Sequence, residues 1–154
     1  MYTGDPAFYV EGDNLYMYYG CSPVDPIYMQ VLDLNTLEAK TEVVACFNSD
    51  KENHGWERTG ELNELSRRPY IEGAWMTAHQ GKYYLQYAAP GTEWKSYADG
   101  VYVGTSPTGP FTYMENSPVS YKPTGFIGGA GHGCIFTAGS ENYWKAATNS
   151  ISVR

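Results

Sequence analysis

Hydrophobic runs occur in pairs along the chain, each pair separated by a short polar turn. The first pair lies in residues 5–20, where apolar and aromatic residues stand on both sides of the polar stretch 11–14. A break of this length between two apolar runs predicts a β-hairpin. Two further strands are expected at residues 27–33 and 42–47, with a turn at residues 34–36. The first 47 residues are therefore predicted to form one four-stranded antiparallel unit.

The same order of strands begins again after a long polar segment. Residues 48–68 show no regular hydrophobic period and are expected to form a loop over the top of the domain. A second hairpin follows at residues 72–88, with Gly81 at its turn, and two more strands are expected at residues 100–105 and 111–114. The second unit therefore repeats the four-strand order of the first.

Three units can be aligned by counting residues. Asp5, Glu72 and His132 each open a unit, and they stand 67 and then 60 residues apart. Hydrophobic residues follow them at equal distances: Phe8, Trp75 and Ile135 three residues later, and Tyr16, Tyr83 and Tyr143 eleven residues later. A four-stranded repeat at this spacing favours the blades of a β-propeller, with a β-sandwich as the alternative.

This repeat also predicts the domain organisation. The chain is expected to form a single all-β domain over residues 1–154. Within it we expect a blade at residues 3–47, a loop at 48–68, a second blade at 69–115 and the start of the next blade at 116–154.

Composition agrees with many short strands and excludes several classes of function. The chain has 17 Gly, 9 Pro, 15 Tyr and 4 Trp, which suit strands, turns and surfaces that stack on sugars. Its formal charge of -7 has no basic stripe, so nucleic acid is a poor partner. No apolar run is long enough for a membrane span, and the N-terminus lacks the pattern of a signal peptide, which leaves the compartment open. The three cysteines form no CxxC pair and are expected to be small buried side chains without a disulfide.

The residues that open the three units carry the functional argument. In a propeller the innermost strands line one channel, so equivalent positions at their starts meet at one end of it. Here those positions hold Asp5, Glu72 and His132. Three ionisable groups gathered at one axis are costly unless they are used. The sequence therefore predicts a site at the mouth of this channel.

Glu72 is the candidate general acid of that site. It lies between Ile71 and Trp75, and burial among apolar neighbours favours the protonated form of a carboxyl group. Asp5 would face it across the channel as a second carboxylate that tunes and orients it. Two carboxylates with space for water between them fit glycoside hydrolysis with inversion. The alternatives are a solvent-facing Glu at a strand end and an Asp-Pro turn.

Four residues are candidates for sugar binding, and one is a candidate ligand of a metal or water. Arg68 stands just before the acid strand, where it could bond sugar hydroxyls. Trp56, Trp75 and Trp94 are candidate sugar platforms, with ordinary packing as the alternative for each. His132 is either a ligand for a central cation or ordered water, or a channel-filling histidine bonded to backbone carbonyls.

Four segments together resemble glycoside hydrolase family 43. They are DPAFYVEGDNLYMYYGCS, RRPYIEGAWMTAHQGKYYLQYAAPGTEW, YADGVYVGTSPTGPF and GAGHGCIF. The resemblance implies a five-bladed β-propeller of inverting glycosidases, which include β-xylosidases, α-L-arabinofuranosidases and arabinanases. It also implies Glu72 as the general acid, Asp5 as the aspartate that tunes the pKa of the acid and orients it, and His132 as the central histidine near a calcium ion or water.

The resemblance sets further expectations. Five blades would need roughly 300 residues, so we expect about two and a half to three blades of four-stranded antiparallel sheet. The general base, an aspartate of the preceding blade, is expected to be missing. The expected function is a hydrolase fragment for xylosyl or arabinofuranosyl linkages in plant hemicellulose oligosaccharides, with no required cofactor and a candidate structural calcium. The alternative is a non-catalytic carbohydrate-binding propeller fragment. Exposed blade faces also predict self-association.

Overall fold

A computed structural model describes residues 4–139 and 142–151 of the chain. Residues 1–3, 140–141 and 152–154, which the expected blade ranges include in part, lie outside the described residues. The described part consists mainly of antiparallel β-strands joined by turns and loops. No helical segment within it has the length and apolar character that a membrane crossing requires.

The first sheet contains four antiparallel strands in sequence order. They are β1 (Ala7–Glu11), β2 (Asn14–Tyr19), β3 (Ile27–Asp33) and β4 (Val44–Phe47). Glu11 pairs with Asn14 at the end of the first hairpin, and Gly12 in its turn has a φ of 58°. Glycine adopts this left-handed conformation at little cost. The predicted hairpin is confirmed, and β3 has its predicted bounds.

The second sheet repeats this order and adds one strand. It contains β5 (Glu72–His79), β6 (Lys82–Ala89), β7 (Ala98–Gly104), β8 (Thr112–Tyr113) and β9 (Ser120–Tyr121). The first four strands pair in sequence order, and β9 pairs with β7 as well. The division into blades at residues 47, 68 and 115 stays a prediction about domain organisation.

Two small sheets follow in the described residues. They contain β10 (Ile127–Gly128), β11 (Cys134–Ala138), β12 (Asn142–Ala146) and β13 (Ser150–Ile151). β11 and β12 form a hairpin in the third unit that the repeat predicts, whereas β10 pairs with β13. The second pairing was not predicted, because strands of two residues have no hydrophobic period.

The hydrophobic core lies between the two larger sheets. Side chains of β2 and β3 pack against side chains of β5, β6 and β7 in one buried cluster. Its largest members with almost no exposed surface are Tyr18, Ile27, Met29, Ile71, Leu85 and Tyr87. Burial of a side chain of this size contributes about 1.5–3 kcal/mol. The two sheets therefore hold each other face to face.

Alternating strand directions bring several chain segments to one end of the sheets. β1 and β5 begin at this end, and β2, β4 and β6 finish there. The loop at residues 48–68 joins β4 to β5 at the same end, and within it lies a single 3₁₀ turn at Gly55–Glu57. We call this end the site end, because the candidate catalytic residues lie there.

Candidate active site

Three ionisable side chains meet at the site end. Asp5 precedes β1, Glu72 opens β5 and His132 precedes β11. One ligand atom from each residue lies within 4.8 Å of the other two. The Nδ1 atom of His132 is 4.0 Å from Oδ2 of Asp5. The structure thus brings together the three residues that the repeat placed at equivalent positions.

Left-handed backbone conformations hold these positions in place. The φ angle is 53° at Asp5, 49° at His132 and 60° at Gly73. For Asp and His this conformation costs of order 1 kcal/mol, and such strain is concentrated at functional sites. Gly73 has a second constraint, because a Cβ at this position would lie 2.9 Å from Cγ of His132. The absence of a side chain at Gly73 therefore lets His132 approach the acid strand.

Hydrogen bonds reach both carboxyl oxygens of Glu72, which is only 8% exposed. The hydroxyl of Tyr97 donates to Oε1 at 2.7 Å, and the thiol of Cys21 donates to Oε2 at 3.1 Å. Burial, with the nearby charge of Glu72, raises the pKa of Tyr97 well above its usual range. Burial and the hydrogen bond to Glu72 raise the pKa of Cys21 to about 12. Both groups therefore keep their protons at neutral pH and act as donors.

Sequence reasoning missed both of these donors. Cys21 was expected to be a small buried side chain, yet it is half-buried and makes a polar contact. Tyr97 stands immediately before β7, and Cys21 stands two residues after β2. The feature that identifies them is their position along the chain. Both stand next to strand ends, and the alternating strand directions place those ends at the site end together with Glu72.

The glycine-rich segment that carries His132 is attached to the start of β7. A Cβ at Gly131 would lie 2.6 Å from the ring of Tyr97, so this glycine permits close packing. The backbone N–H of Gly133 donates to Oδ1 of the buried Asp99 at 3.4 Å, and Lys145 pairs with the other oxygen of Asp99. Burial raises the pKa of Asp99, and Lys145 partly offsets that effect. These contacts fix the position of the His132 segment.

Asp5 and Glu72 lie close to each other. One carboxylate oxygen of each lies within 4.8 Å of the other. In inverting glycosidases the acid and the base are about 6.5–9.5 Å apart, which admits a water molecule. A role for Asp5 in tuning and orienting Glu72 stays a prediction, as does a space for water between the two carboxyl groups.

The same three residues form the candidate cation site. They offer two carboxylates and one imidazole, whereas calcium takes six to eight oxygen ligands. Asp5, Glu72 and His132 would supply only part of such a shell, with most ligands coming from water. Calcium binding near His132 therefore stays a prediction.

Arg68 and Trp94 lie in loops at the site end. Arg68 is exposed and lines a cavity of about 310 Å³ together with Pro23, Val24, residues 48–52 and Pro69. Trp94 is half-buried, and its indole N–H is enclosed without a hydrogen-bond partner among the described residues. Sugar binding by either residue stays a prediction.

Trp56 and Trp75 both make packing contacts. The indole N–H of Trp56 donates to the hydroxyl of Tyr113 at 2.8 Å, and its ring lies 5.5 Å from that of Tyr87. The indole N–H of Trp75 donates to the carbonyl oxygen of Ile135 at 2.9 Å, which joins β5 to β11. Each indole therefore connects separate elements, and a role as a sugar platform stays a prediction for both.

Comparison with known proteins relates the chain to carbohydrate-active enzymes. The model of glycosyl hydrolases family 43 matches residues 4–150. The β-D-galactofuranosidase xynD of Aspergillus niger is 29% identical over 86 residues, which are 55% of this chain and 25% of that protein.

Solved structures have the same fold. A xylan β-1,4-xylosidase from Bacillus halodurans has a TM-score of 0.74 at 19% identity, over 99% of this chain and 28% of that one. A mutant of a GH43 protein from Bacillus licheniformis has a TM-score of 0.72 at 22% identity, over 97% of this chain and 26% of that one. The chain thus spans about a quarter of the length of these relatives. The predicted all-β partial propeller of antiparallel four-stranded sheets is confirmed, and the chain belongs to glycoside hydrolase family 43.

Proposed function

We propose that this chain carries the general-acid part of an inverting glycosidase site for xylosyl or arabinofuranosyl linkages in plant hemicellulose oligosaccharides. The observation that carries the proposal is the meeting of Asp5, Glu72 and His132 where three innermost strands begin. Family membership supports a carbohydrate substrate. The choice of pentosyl linkages draws on the sequence resemblance and on the activity named for one similar structure, a xylan β-1,4-xylosidase.

In this proposal Glu72 protonates the glycosidic oxygen as the bond to the leaving group breaks. Asp5 lies within 4.8 Å of Glu72, and in this proposal it tunes the acid and keeps it aimed at the glycosidic oxygen. His132 pairs with Asp5 when the imidazole is protonated and so orients that carboxylate.

A different carboxylate serves as the base. It removes a proton from a water molecule that attacks the anomeric carbon from the face opposite the leaving group. The resemblance assigns the base to an aspartate of a preceding blade, and this assignment is part of the proposal.

Self-association is a second part of the proposal. Phe8 on β1 is 53% exposed, and Phe136 on β11 is 49% exposed. Both line a cleft of about 450 Å³ between the innermost strands β1, β5 and β11. Apolar surface of this kind favours association with another protein surface. A monomer by light scattering at working concentrations would contradict this part.

Hydrolysis of an aryl β-xyloside and an aryl α-arabinofuranoside tests the enzymatic proposal. If the folded chain releases the aryl group, Glu72→Gln, which keeps the shape of the side chain but cannot donate the proton as an acid, should slow release of poor leaving groups far more than release of activated ones. The same slowing for both would contradict the role of Glu72, and no release from a folded sample would support a site that lacks its base.

Calorimetry of xylo- and arabino-oligosaccharide binding separates the enzymatic proposal from the alternative of a carbohydrate-binding module. If a folded sample binds sugar without turnover, and binding survives Glu72→Ala and Asp5→Ala with little dependence on pH, the chain acts as a carbohydrate-binding module. Loss of binding in these variants would support a site built on the two carboxyl groups.

A further inference from the structure

A cavity of about 310 Å³ lies at the site end, close to the start of β5. Its lining comes from three segments of the chain, residues 23–24, 48–52 and 68–69. We propose that this cavity binds an acidic sugar unit of the substrate, a uronic acid, whose carboxylate is held by the guanidinium of Arg68. This inference adds a substrate class to the proposed function and rests on it.

The cavity adjoins Glu72 through a bridge between the two larger sheets. The backbone N–H of Ser22 donates to the carbonyl oxygen of Ile71 at 3.2 Å, and that of Ile71 donates to the carbonyl oxygen of Ser22 at 3.1 Å. Residues 23–24 directly follow Ser22 along the chain. Pro69 stands three residues before Glu72, so their Cα atoms are at most about 11 Å apart. An oligosaccharide of a few units bound at Glu72 can therefore also reach the cavity.

Burial and hydrogen bonds fix the backbone around the cavity. The side chain of Pro69 is almost completely buried, and the backbone N–H of Tyr70 donates to the carbonyl oxygen of Pro90 at 2.8 Å. In another part of the lining, the side-chain N–H of Asn48 donates to the carbonyl oxygen of Val24 at 2.9 Å. Because the lining is held in this way, little of it has to be ordered when a ligand binds.

The charges around the cavity leave Arg68 unmatched. Glu52 pairs with Lys51 at 2.6 Å and with Arg58 at 3.2 Å. The carboxylate of Asp50 accepts hydrogen bonds within its own loop. The exposed guanidinium of Arg68 has neither a hydrogen bond nor an ion pair with any residue that the structure describes. Of the two cations in the lining, Arg68 is therefore the one that is open to an anionic ligand.

A sugar that carries a carboxylate matches this lining better than a neutral sugar does. A guanidinium holds a carboxylate through two parallel hydrogen bonds, whereas the hydroxyls of a neutral sugar leave its charge unmatched. The carboxylates of Asp50 and Glu52 keep lone pairs that can accept hydrogen bonds from sugar hydroxyls. The cavity volume lies at the lower end of the range for ligand pockets, about 300–1,000 Å³, which suits a single sugar unit.

Calorimetry with two oligosaccharides tests the inference without the need for turnover. The probes are a xylo-oligosaccharide that carries one glucuronic acid substituent and the same oligosaccharide without it. We expect the wild type to bind the acidic probe about five- to tenfold more tightly at low ionic strength, and added salt to reduce this preference. Arg68→Gln should remove the preference. Arg68→Lys, which keeps the charge but lacks the planar fork, should retain part of it.

Arg67→Gln is the matched control, because Arg67 is also exposed but does not line the cavity. It removes the same charge from the neighbouring position and should keep the preference for the acidic probe. Both side chains are exposed, so we expect both variants to fold as the wild type does. Equal losses of the preference in Arg67→Gln and Arg68→Gln would indicate a general effect of charge and would overturn the inference.

Three other results would also overturn the inference: equal binding of the two probes by the wild type, a preference that survives Arg68→Gln, and binding of neither probe. Hydrolysis by Glu72→Gln keeps these results separate from the proposed function. A preference that depends on Arg68, in a protein whose Glu72→Gln variant slows poor and activated leaving groups alike, would support the uronate site and contradict the general acid. The reverse pair of results would support the general acid and overturn the uronate site.

Discussion

Two glutamates of this chain accept a hydrogen bond from a buried tyrosine, yet their surroundings differ. Glu57 in the loop at residues 48–68 is 0% exposed and accepts from the hydroxyl of Tyr87 at 2.5 Å. It also accepts from the backbone N–H of Asp50 at 2.6 Å and contacts Nδ1 of His54 at 3.2 Å. Glu72 accepts from Tyr97 and Cys21 and lies beside Asp5 and His132, which reach solvent.

The comparison separates a fully enclosed carboxylate from the one that we propose as the general acid. Tyr87 ties Glu57 to the second sheet, whereas Asp50 and His54 tie it to its own loop, and its side chain is 0% exposed. Glu72 has a like charge beside it and solvent-accessible partners around it. Burial and a tyrosine donor alone therefore do not identify a catalytic acid. The second carboxylate and the opening to solvent make the difference.

The largest expected difference between the two glutamates is in catalysis. In a protein that also supplies the general base, Glu72→Gln should slow hydrolysis of glycosides with poor leaving groups by about 10²–10⁴-fold, because the departing oxygen then lacks its acid. Activated aryl glycosides need less protonation and should lose much less. Glu57→Gln should keep the wild-type ratio between the two substrate types in folded protein. Equal losses on both substrate types in Glu72→Gln would contradict the general-acid assignment.

The free energy of unfolding should show the opposite order, with the larger loss on substitution of Glu57. Glu57→Ala leaves the hydroxyl of Tyr87 and the N–H of Asp50 buried without their acceptor, and we expect a loss of about 3 kcal/mol in the free energy of unfolding. Glu72→Ala should cost less, because one of its two donors, the thiol of Cys21, is weak and only part-buried. Urea unfolding of both variants provides the measurement. A larger loss for Glu72→Ala would show that the two roles have been assigned the wrong way round.

Substitution of Gly73 tests how far the candidate site depends on the close approach of His132 to the backbone of β5. Gly73→Ala places a Cβ 2.9 Å from Cγ of His132 at a φ of 60°, and we expect a loss of about 1–2 kcal/mol with a shift of the His132 ring resonances. Gly12→Ala is the matched control, because Gly12 has a φ of 58° and nothing within 4 Å of the added Cβ. It should cost backbone strain but leave His132 unchanged. Equal shifts of the His132 resonances would argue against the close contact.

The smallest expected effect is a pH dependence of stability that belongs to Glu57. Burial raises the pKa of Glu57 above its ordinary value of 4.5. A raised pKa in the folded state means that the stabilisation is fully present below pH 4.5 and is lost as the pH rises through the raised value. Asp99 contributes with the same sign, because burial raises its pKa as well.

The difference in unfolding free energy between wild type and Glu57→Gln isolates the Glu57 contribution, because Asp99 is common to both proteins. The unfolding free energy of the wild type should fall relative to that of Glu57→Gln as the pH rises from 4.5 toward neutrality. Urea unfolding across that range measures it. A difference that does not change with pH would mean that Glu57 ionises in the folded protein as it does in the unfolded chain.

Local patterns predicted the parts of the fold that depend on neighbouring residues. The alternation in residues 27–33 is enough to place β3, because each side chain there faces the opposite side from the next one. The hairpins follow from short polar breaks such as Gly12-Asp13 between two such runs. Strands as short as β10 and β13 have no such pattern, and their pairing depends on contacts between distant segments.

The candidate site was predictable only in part for the same reason. Asp5, Glu72 and His132 were identified because they occupy the same position in each repeat, and repeats bring such positions to one end of the strands. Tyr97 and Cys21 belong to no repeat. Their alignment with Glu72 requires knowledge of which strand ends meet, and a count along the chain does not supply it.

The sequence by itself determined that this chain forms short antiparallel strands in repeated units, with three ionisable residues where the units begin. Strand alternation and turn chemistry are local, so residues two to four positions apart are enough to specify them. Only the tertiary structure decided how the two buried carboxylates are enclosed, with Glu57 0% exposed and Glu72 8% exposed beside Asp5 and His132, which reach solvent. Those environments depend on hydrogen bonds between residues 51 apart for Cys21 and Glu72 and 30 apart for Tyr87 and Glu57, which form only when whole sheets and loops pack together.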